Sequence, residues 1–106
     1  FLKRRFLVMK NFRTYNLSVA FYRRATTMPL ARHLNDQFKR AASSIVLNLA
    51  EGSGRESPND QRKLYRIAFG SLRECQAIIT LAELDDSLVE LSDKLAAHLY
   101  KLIQAT

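Results

Sequence analysis

The chain has 106 residues, a length that suits one small domain. Hydrophobic residues make up 47% and charged residues 25%, which excludes disorder by composition, and three glycines with two prolines argue against a many-stranded β fold. Seventeen Lys and Arg against ten Asp and Glu give a net charge of +7, which indicates an acidic partner: nucleic acid, an acidic protein or an anionic membrane surface.

The charge is concentrated in the first half of the chain. Residues 1–53 carry ten basic and two acidic residues, whereas residues 54–106 carry seven basic and eight acidic residues. A single cysteine excludes an internal disulfide framework and suits a reducing compartment, so we expect a cytoplasmic protein. No apolar run approaches the roughly 20 residues that span a bilayer, and we expect no membrane segment.

Residues 1–12 have no clean period and are expected to form a basic N-terminal arm. A weaker interpretation is a membrane-surface arm, because its apolar residues interleave with basic ones. The first predicted helix runs from Arg13 to about Thr26 and ends before Pro29. Its apolar stripe is predicted to contain Leu17, Ala20, Phe21, Arg24 and Met28.

The second predicted helix runs from about Leu30 to Ala50, and Gly52 is expected to end it. The third begins with Ser57 as N-cap, followed by proline, and reaches about Leu84. The predicted apolar stripes of these two helices are Leu34, Phe38, Ala41, Ile45 and Leu49, and then Leu64, Ile67, Ala68, Ser71, Cys75, Ile78 and Ala82.

The fourth predicted helix opens with a capping box from Ser87 to Glu90 and continues with leucines at three- and four-residue spacing. Four amphipathic helices joined by short connectors place sequential neighbours antiparallel. The sequence therefore predicts an all-α fold, an antiparallel up-down-up-down four-helix bundle over residues 13–106.

No pattern of catalytic or metal-binding residues is apparent. His33 and His98 lack a metal-site spacing, and Cys75 lies on an apolar stripe, where a buried structural thiol is expected. Neither Glu51 nor Glu74 is followed by a histidine three residues on, which excludes a ferritin-like di-iron motif. We therefore expect no enzyme and no cofactor.

Basic residues are the most informative candidates. Arg62, Arg66 and Arg73 share one face of the third helix, and Tyr65 and Phe69 flank it, with Phe69 predicted to point away from the core. An exposed aromatic beside arginines suits either base stacking or contact with another subunit. The alternative is a solvated charged face. The predicted nucleic-acid contacts are Arg23, Arg24, Lys39, Arg40, Arg62 and Arg66.

The turn between the second and third helices leaves two further interpretations open. It is expected to be a helix end and a tight turn, with one backbone phosphate held by Arg55 and Ser57 as a weaker alternative. Asn48, at the edge of an apolar stripe, is expected to make a structural hydrogen bond.

Three runs carry a resemblance to a known family: QFKRAASSI at residues 37–45, NLAEGSGR at residues 48–55 and IAFGSLRE at residues 67–74. The chain resembles the small four-helix-bundle proteins encoded within intervening sequences of large-subunit ribosomal RNA genes, and is similar to the accessory variability determinant of diversity-generating retroelements. The positions that match the motifs are Asn48, Glu51, Gly52, Arg55, Gly70, Ser71 and Glu74.

The resemblance implies a four-helix protomer that assembles as a cyclic pentamer and binds structured nucleic acid. It implies mainly structural roles for the motif residues, with an ion pair from Arg55 to Glu51 or Glu74. We expect a non-enzymatic oligomeric bundle that binds RNA in preference to DNA. The alternative is an adaptor for a protein partner, for example a reverse transcriptase or a ribosome-associated factor.

Overall fold

The structure, a computed structural model, describes residues 12–106, and the predicted arm lies outside them except for Phe12. This part of the chain consists of four helices with no strand, which confirms the predicted all-α bundle. The helices are α1 (Arg13–Ala25), α2 (Arg32–Ser53), α3 (Pro58–Ala82) and α4 (Asp86–Ala105). None of these helices is long and apolar enough to cross a membrane.

The helices form a ring in which α1 contacts α2 and α4, and α3 contacts α2 and α4. Ser44 lies against Ser71, and Gly52, further along α2, lies against Tyr65, earlier in α3, so these two helices are antiparallel. Phe12 at the start of α1 packs edge-on against Tyr65 near the start of α3. The chain therefore runs up, down, up and down.

The core lies along the bundle axis and follows the predicted stripes of α2 and α4. The rings of Phe21 and Phe38 meet edge to face, with centroids 6.2 Å apart. The large apolar side chains with no exposed surface are Phe21, Phe38, Ile45, Leu49, Leu72, Leu88, Leu95 and Leu99. Burying a side chain of this size stabilises the fold by about 1.5–3 kcal/mol.

The predicted stripe of α1 is partly wrong. The buried residues of α1 are Thr14, Ser18, Phe21 and Ala25, whereas Ala20 is exposed. Ser18 can be buried because its hydroxyl donates a 2.6 Å hydrogen bond to the backbone carbonyl of residue 15. Periodicity based on apolar residues alone therefore misses the side of α1 that faces the core.

The predicted stripe of α3 is also wrong at two positions. Ile67 is 45% exposed, and Tyr65, predicted to flank the basic face, is 4% exposed. The ring of Tyr65 is buried because it lies over Gly52, where α2 has no side chain to occupy the space. Phe69, predicted to point away from the core, is half-buried and packs against it.

The helix ends depart from the predictions in two places. Ser57 caps α3 as predicted, accepting the N–H of Asp60 at 3.1 Å. The predicted capping box of α4 is wrong, because Asp85 is the N-cap and accepts the N–H of Leu88 at 2.9 Å. Gly52 does not end α2, which continues to Ser53.

Candidate nucleic-acid interface

The first group of predicted contact residues lies where α1 ends and α2 begins. Arg23, Arg24, Lys39 and Arg40 are all exposed. Arg24 donates a hydrogen bond to the hydroxyl of Ser87, and its Nη2 lies 3.8 Å from the Asp85 carboxylate. The other three cations have no ion-pair partner among residues 12–106.

The second group lies near the start of α3. Arg62 is half-buried, and its Nη1 donates to Oδ1 of Asn59 at 3.1 Å. Arg66 is exposed and lies at the edge of a groove between α3 and α4. Arg73, predicted on the same face, lies about two turns beyond Arg66; it is exposed, and its Nη1 donates to Oε1 of Gln76 at 2.9 Å.

The structure does not bring the six residues into one continuous patch. The contacts between Ser44 and Ser71 and between Gly52 and Tyr65 fix the register of α2 against α3. In that register Lys39 and Arg40 lie level with the second half of α3, about a dozen residues beyond Arg62 and Arg66. At 1.5 Å per residue the two groups are about 18 Å apart along the bundle axis.

The bundle also has a basic and an acidic side. Residues 12–55, which contain α1 and α2, carry seven basic and two acidic residues, a net charge of +5. Residues 56–106, which contain α3 and α4, carry six basic and eight acidic residues, a net charge of −2. Most of the positive field therefore arises from the α1–α2 side.

The turn between α2 and α3 is occupied by internal contacts. Nη2 of Arg55 donates to Oε1 of Glu51 at 2.6 Å, which confirms Glu51 as the partner among the two predicted carboxylates. Glu74 is exposed and has no ion pair within the described chain. Since Arg55 is paired and the Ser57 hydroxyl caps α3, both side chains expected to hold a phosphate already have partners.

The remaining matched residues contribute chiefly to the α2–α3 contact. Nδ2 of Asn48 donates to the carbonyl and hydroxyl oxygens of Ser44, at 2.8 and 3.1 Å. The Ser44 hydroxyl in turn lies 2.8 Å from that of Ser71, so a chain of hydrogen bonds joins the two helices. This confirms the structural hydrogen bond expected for Asn48. Gly70 is exposed, and a side chain there would meet nothing within 4 Å.

Cys75 is fully buried, as predicted. Burial, with the nearby charge of Glu74, raises the pKa of the Cys75 thiol to about 12, which keeps it protonated and unreactive at neutral pH. Within residues 12–106 no three histidine, cysteine or acidic side chains are close enough to hold a metal ion. His33 is exposed at the start of α2, while His98 is half-buried in α4.

Sequence reasoning missed the surface formed by α3 and α4 beside Arg66. Tyr100 is 56% exposed and lines the groove together with the half-buried Phe69 and Ile103. Nothing in the sequence of α4 distinguishes Tyr100 from an isolated surface aromatic. Only the register of α4 against α3, seen where Gln76 Nε2 lies 3.4 Å from Ser92 Oγ, places it beside Arg66.

A second groove, of about 240 Å³, lies between α1 and α2. Val19, Tyr22, Val46 and Leu47 line it, and Leu47 is 64% exposed. An exposed apolar surface of this kind is typical of a contact with another protein or another subunit.

Comparisons with curated proteins and with solved structures give no significant match. A family model described as 23S rRNA-intervening sequence protein matches residues 12–105, nearly the whole chain. The matched stretch includes all four helices and every motif residue on which the resemblance depends. This is not a known enzyme family. On this match the chain belongs to the 23S rRNA-intervening sequence protein family.

Proposed function

We propose that this protein is a non-enzymatic, cytoplasmic bundle that binds structured nucleic acid, RNA in preference to DNA, through its exposed cations. The observation that carries the proposal is a set of exposed basic side chains that have no ion-pair partner in the described chain. Arg23, Lys39, Arg40 and Arg66 are exposed, and no carboxylate within residues 12–106 neutralises them. The family to which the chain belongs is named for intervening sequences of 23S rRNA, which supports RNA as the ligand.

Binding would depend on phosphate contacts rather than on reading base edges in a duplex. Each cation that neutralises a phosphate releases condensed counterions, so log affinity falls as log salt concentration rises, with a slope of about 0.9 per contact on a duplex. Two groups of cations about 18 Å apart along the axis would contact separate parts of a folded RNA. Such contacts recognise shape and backbone, not sequence.

Fluorescence anisotropy with a structured RNA and a duplex DNA of equal length, repeated over a salt series, tests this proposal. Replacing Lys39, Arg40 or Arg66 singly by alanine is expected to reduce the slope by about one. Lys94→Ala is the matched control, since Lys94 is exposed on α4 directly after Asp93, whose charge offsets it, and its loss should leave the slope unchanged. No binding at low salt would refute the proposal.

We also propose that the protomers assemble, with five subunits as the resemblance implies. Leu47 is 64% exposed and adjoins Val19, Tyr22 and Val46 in the apolar groove between α1 and α2, a contiguous surface that another subunit would cover. A pentamer would carry about +35 and make several phosphate contacts at once. Light scattering coupled to size exclusion should then give about 61 kDa, five times the 12.2 kDa protomer. A mass of one protomer would refute assembly.

The apolar groove between α1 and α2 favours a second candidate function, an adaptor that binds a protein partner such as a reverse transcriptase or a ribosome-associated factor. A contact centred on Tyr22 and Leu47 would persist at high salt, whereas phosphate contacts would not. A gene for a reverse transcriptase beside this gene would favour the adaptor, and an rRNA gene insertion would favour RNA binding.

A further inference from the structure

The groove between α3 and α4 has the composition of a binding site for a flat, negatively charged ligand. It has a volume of about 260 Å³, and its lining combines aromatic, aliphatic, amide and guanidinium groups. The lining residues are Arg66, Phe69, Tyr100, Ile103 and Gln104.

Two aromatic residues, Phe69 and Tyr100, line this groove. Phe69 is half-buried, and the Arg73 guanidinium carbon lies 5.0 Å from the centre of its ring. That position suits a cation–π interaction and occupies one face of Phe69. Tyr100 is different, because 56% of it is exposed and no other ring packs on it within the described chain. Tyr100 therefore offers a face to a ligand.

The charge around the groove favours an anion. Although the α3–α4 side has a net charge of −2, residues 61–73 of α3, which lie between Asp60 and Glu74, carry four basic and no acidic residues, and residues 95–106 contain Lys101 and no acidic residue. Arg66 lies at the edge of the groove without an ion-pair partner among residues 12–106. Its planar guanidinium binds phosphate through two parallel hydrogen bonds.

We propose that this groove binds one unpaired nucleotide of a folded RNA, a step that rests on the proposed nucleic-acid binding. The base stacks on Tyr100, the adjacent phosphate binds Arg66, and the Gln104 amide offers a donor and an acceptor to the edge of the base. A paired base is stacked inside its helix and cannot enter the groove, so the site selects bulges, loops and single-stranded ends.

The test uses two RNA hairpins with identical stems, one fully paired and one with a single bulged 2-aminopurine. We expect the bulged hairpin to bind about tenfold more tightly, the affinity that stacking of one base supplies. The fluorescence of the 2-aminopurine should fall on binding. Tyr100→Leu should abolish both effects, whereas Tyr100→Phe, which keeps the ring, should retain them.

Tyr22→Leu is the matched control, because it makes the same change in the other groove and should leave the preference for the bulge intact. Thermal unfolding of each variant separates loss of the site from loss of the fold. Equal, salt-dependent binding of both hairpins would overturn the inference while leaving the proposed function in place. If neither hairpin binds at low salt, both the further inference and the proposed function are refuted. If the unsubstituted protein shows no preference for the bulge and Tyr100→Leu changes the oligomer mass, the inference is overturned and a second subunit occupies the groove.

Discussion

Replacing Gly52 by alanine tests whether the close approach of α2 and α3 holds the bundle together. An added Cβ would lie 2.6 Å and 2.9 Å from two ring carbons of Tyr65 and 3.3 Å from Cβ of Leu64. Carbon atoms in contact are normally about 3.5–4.0 Å apart. The Tyr65 ring is 4% exposed and cannot swing into solvent, so the helices must separate by about 1 Å.

The expected loss of stability follows from two opposing effects. Overpacking of this kind costs about 1–3 kcal/mol. Replacing glycine by alanine within a helix stabilises the folded state by about 0.5–1 kcal/mol, which offsets part of this cost. Gly52→Ala should therefore destabilise the protein by about 1–2 kcal/mol, which lowers Tm by about 5–10 °C for a domain of this size.

Gly70→Ala provides the matched control on the other motif glycine. Gly70 lies within α3, is exposed, and leaves an added Cβ without a neighbour within 4 Å. Only the helix-propensity gain remains, so stability should rise by about 0.5–1 kcal/mol. Urea and thermal unfolding, followed by circular dichroism at one protein concentration, measure both variants, since self-association makes Tm depend on concentration.

A double-mutant cycle with Tyr65→Leu identifies the cause of the effect. If the ring creates the clash, the cost of Gly52→Ala should fall by at least about 0.5 kcal/mol once the ring is absent. Gly52→Ala as stable as Gly70→Ala, or a cycle with no coupling, would refute the argument that Gly52 is required for the contact between α2 and α3.

Three further predictions concern single sites. Hydrogen bonds from Ser87 and from the backbone N–H of Leu88 lower the pKa of Asp85 below 3.8. The stability that ionised Asp85 contributes is therefore present above pH 3.8 and is lost as the pH falls through the pKa of Asp85 in the folded protein. Asp85→Asn should make the free energy of unfolding, measured from unfolding curves, depend less on pH in this acidic range. Cys75 should react with a thiol reagent at pH 8 only after urea unfolding, and fast labelling of the native protein would contradict its burial. Glu83 has a left-handed φ of 51° at the end of α3, so Glu83→Gly should raise the free energy of unfolding by about 1 kcal/mol, which the urea midpoint would show.

Sequence patterns predicted the parts of this fold that depend on local periodicity and composition. The stripes of α2 and α4 consist of apolar residues at helical spacing, and the Ser57 cap follows from a serine, a proline and an acid in order. The burial of Ser18 in α1 could not be predicted in this way. Its hydroxyl forms a hydrogen bond within its own helix, so it can be buried without a polar partner elsewhere in the core.

Features that depend on contact between two helices were predicted poorly. Tyr65 and Gly52 are buried because each fits the other, although they lie thirteen positions apart in the chain. The same limit applies to the candidate site, since the cations were identified individually but their division into two groups follows from the register of α2 against α3. Likewise, Tyr100 lies beside Arg66 because of the register of α4 against α3, which the sequence does not reveal.

Most motif residues and the proposed binding residues therefore belong to different parts of the molecule. Asn48, Gly52 and Ser71 lie in the contact between α2 and α3, so changing them should alter stability before it alters affinity. Arg40 and Arg66 are exposed and make no ion pair in the described chain, so changing them should alter the salt slope while leaving Tm nearly unchanged. A cationic variant that lowers Tm as much as Gly52→Ala would contradict this separation. It would then follow that the basic surface also supports the fold.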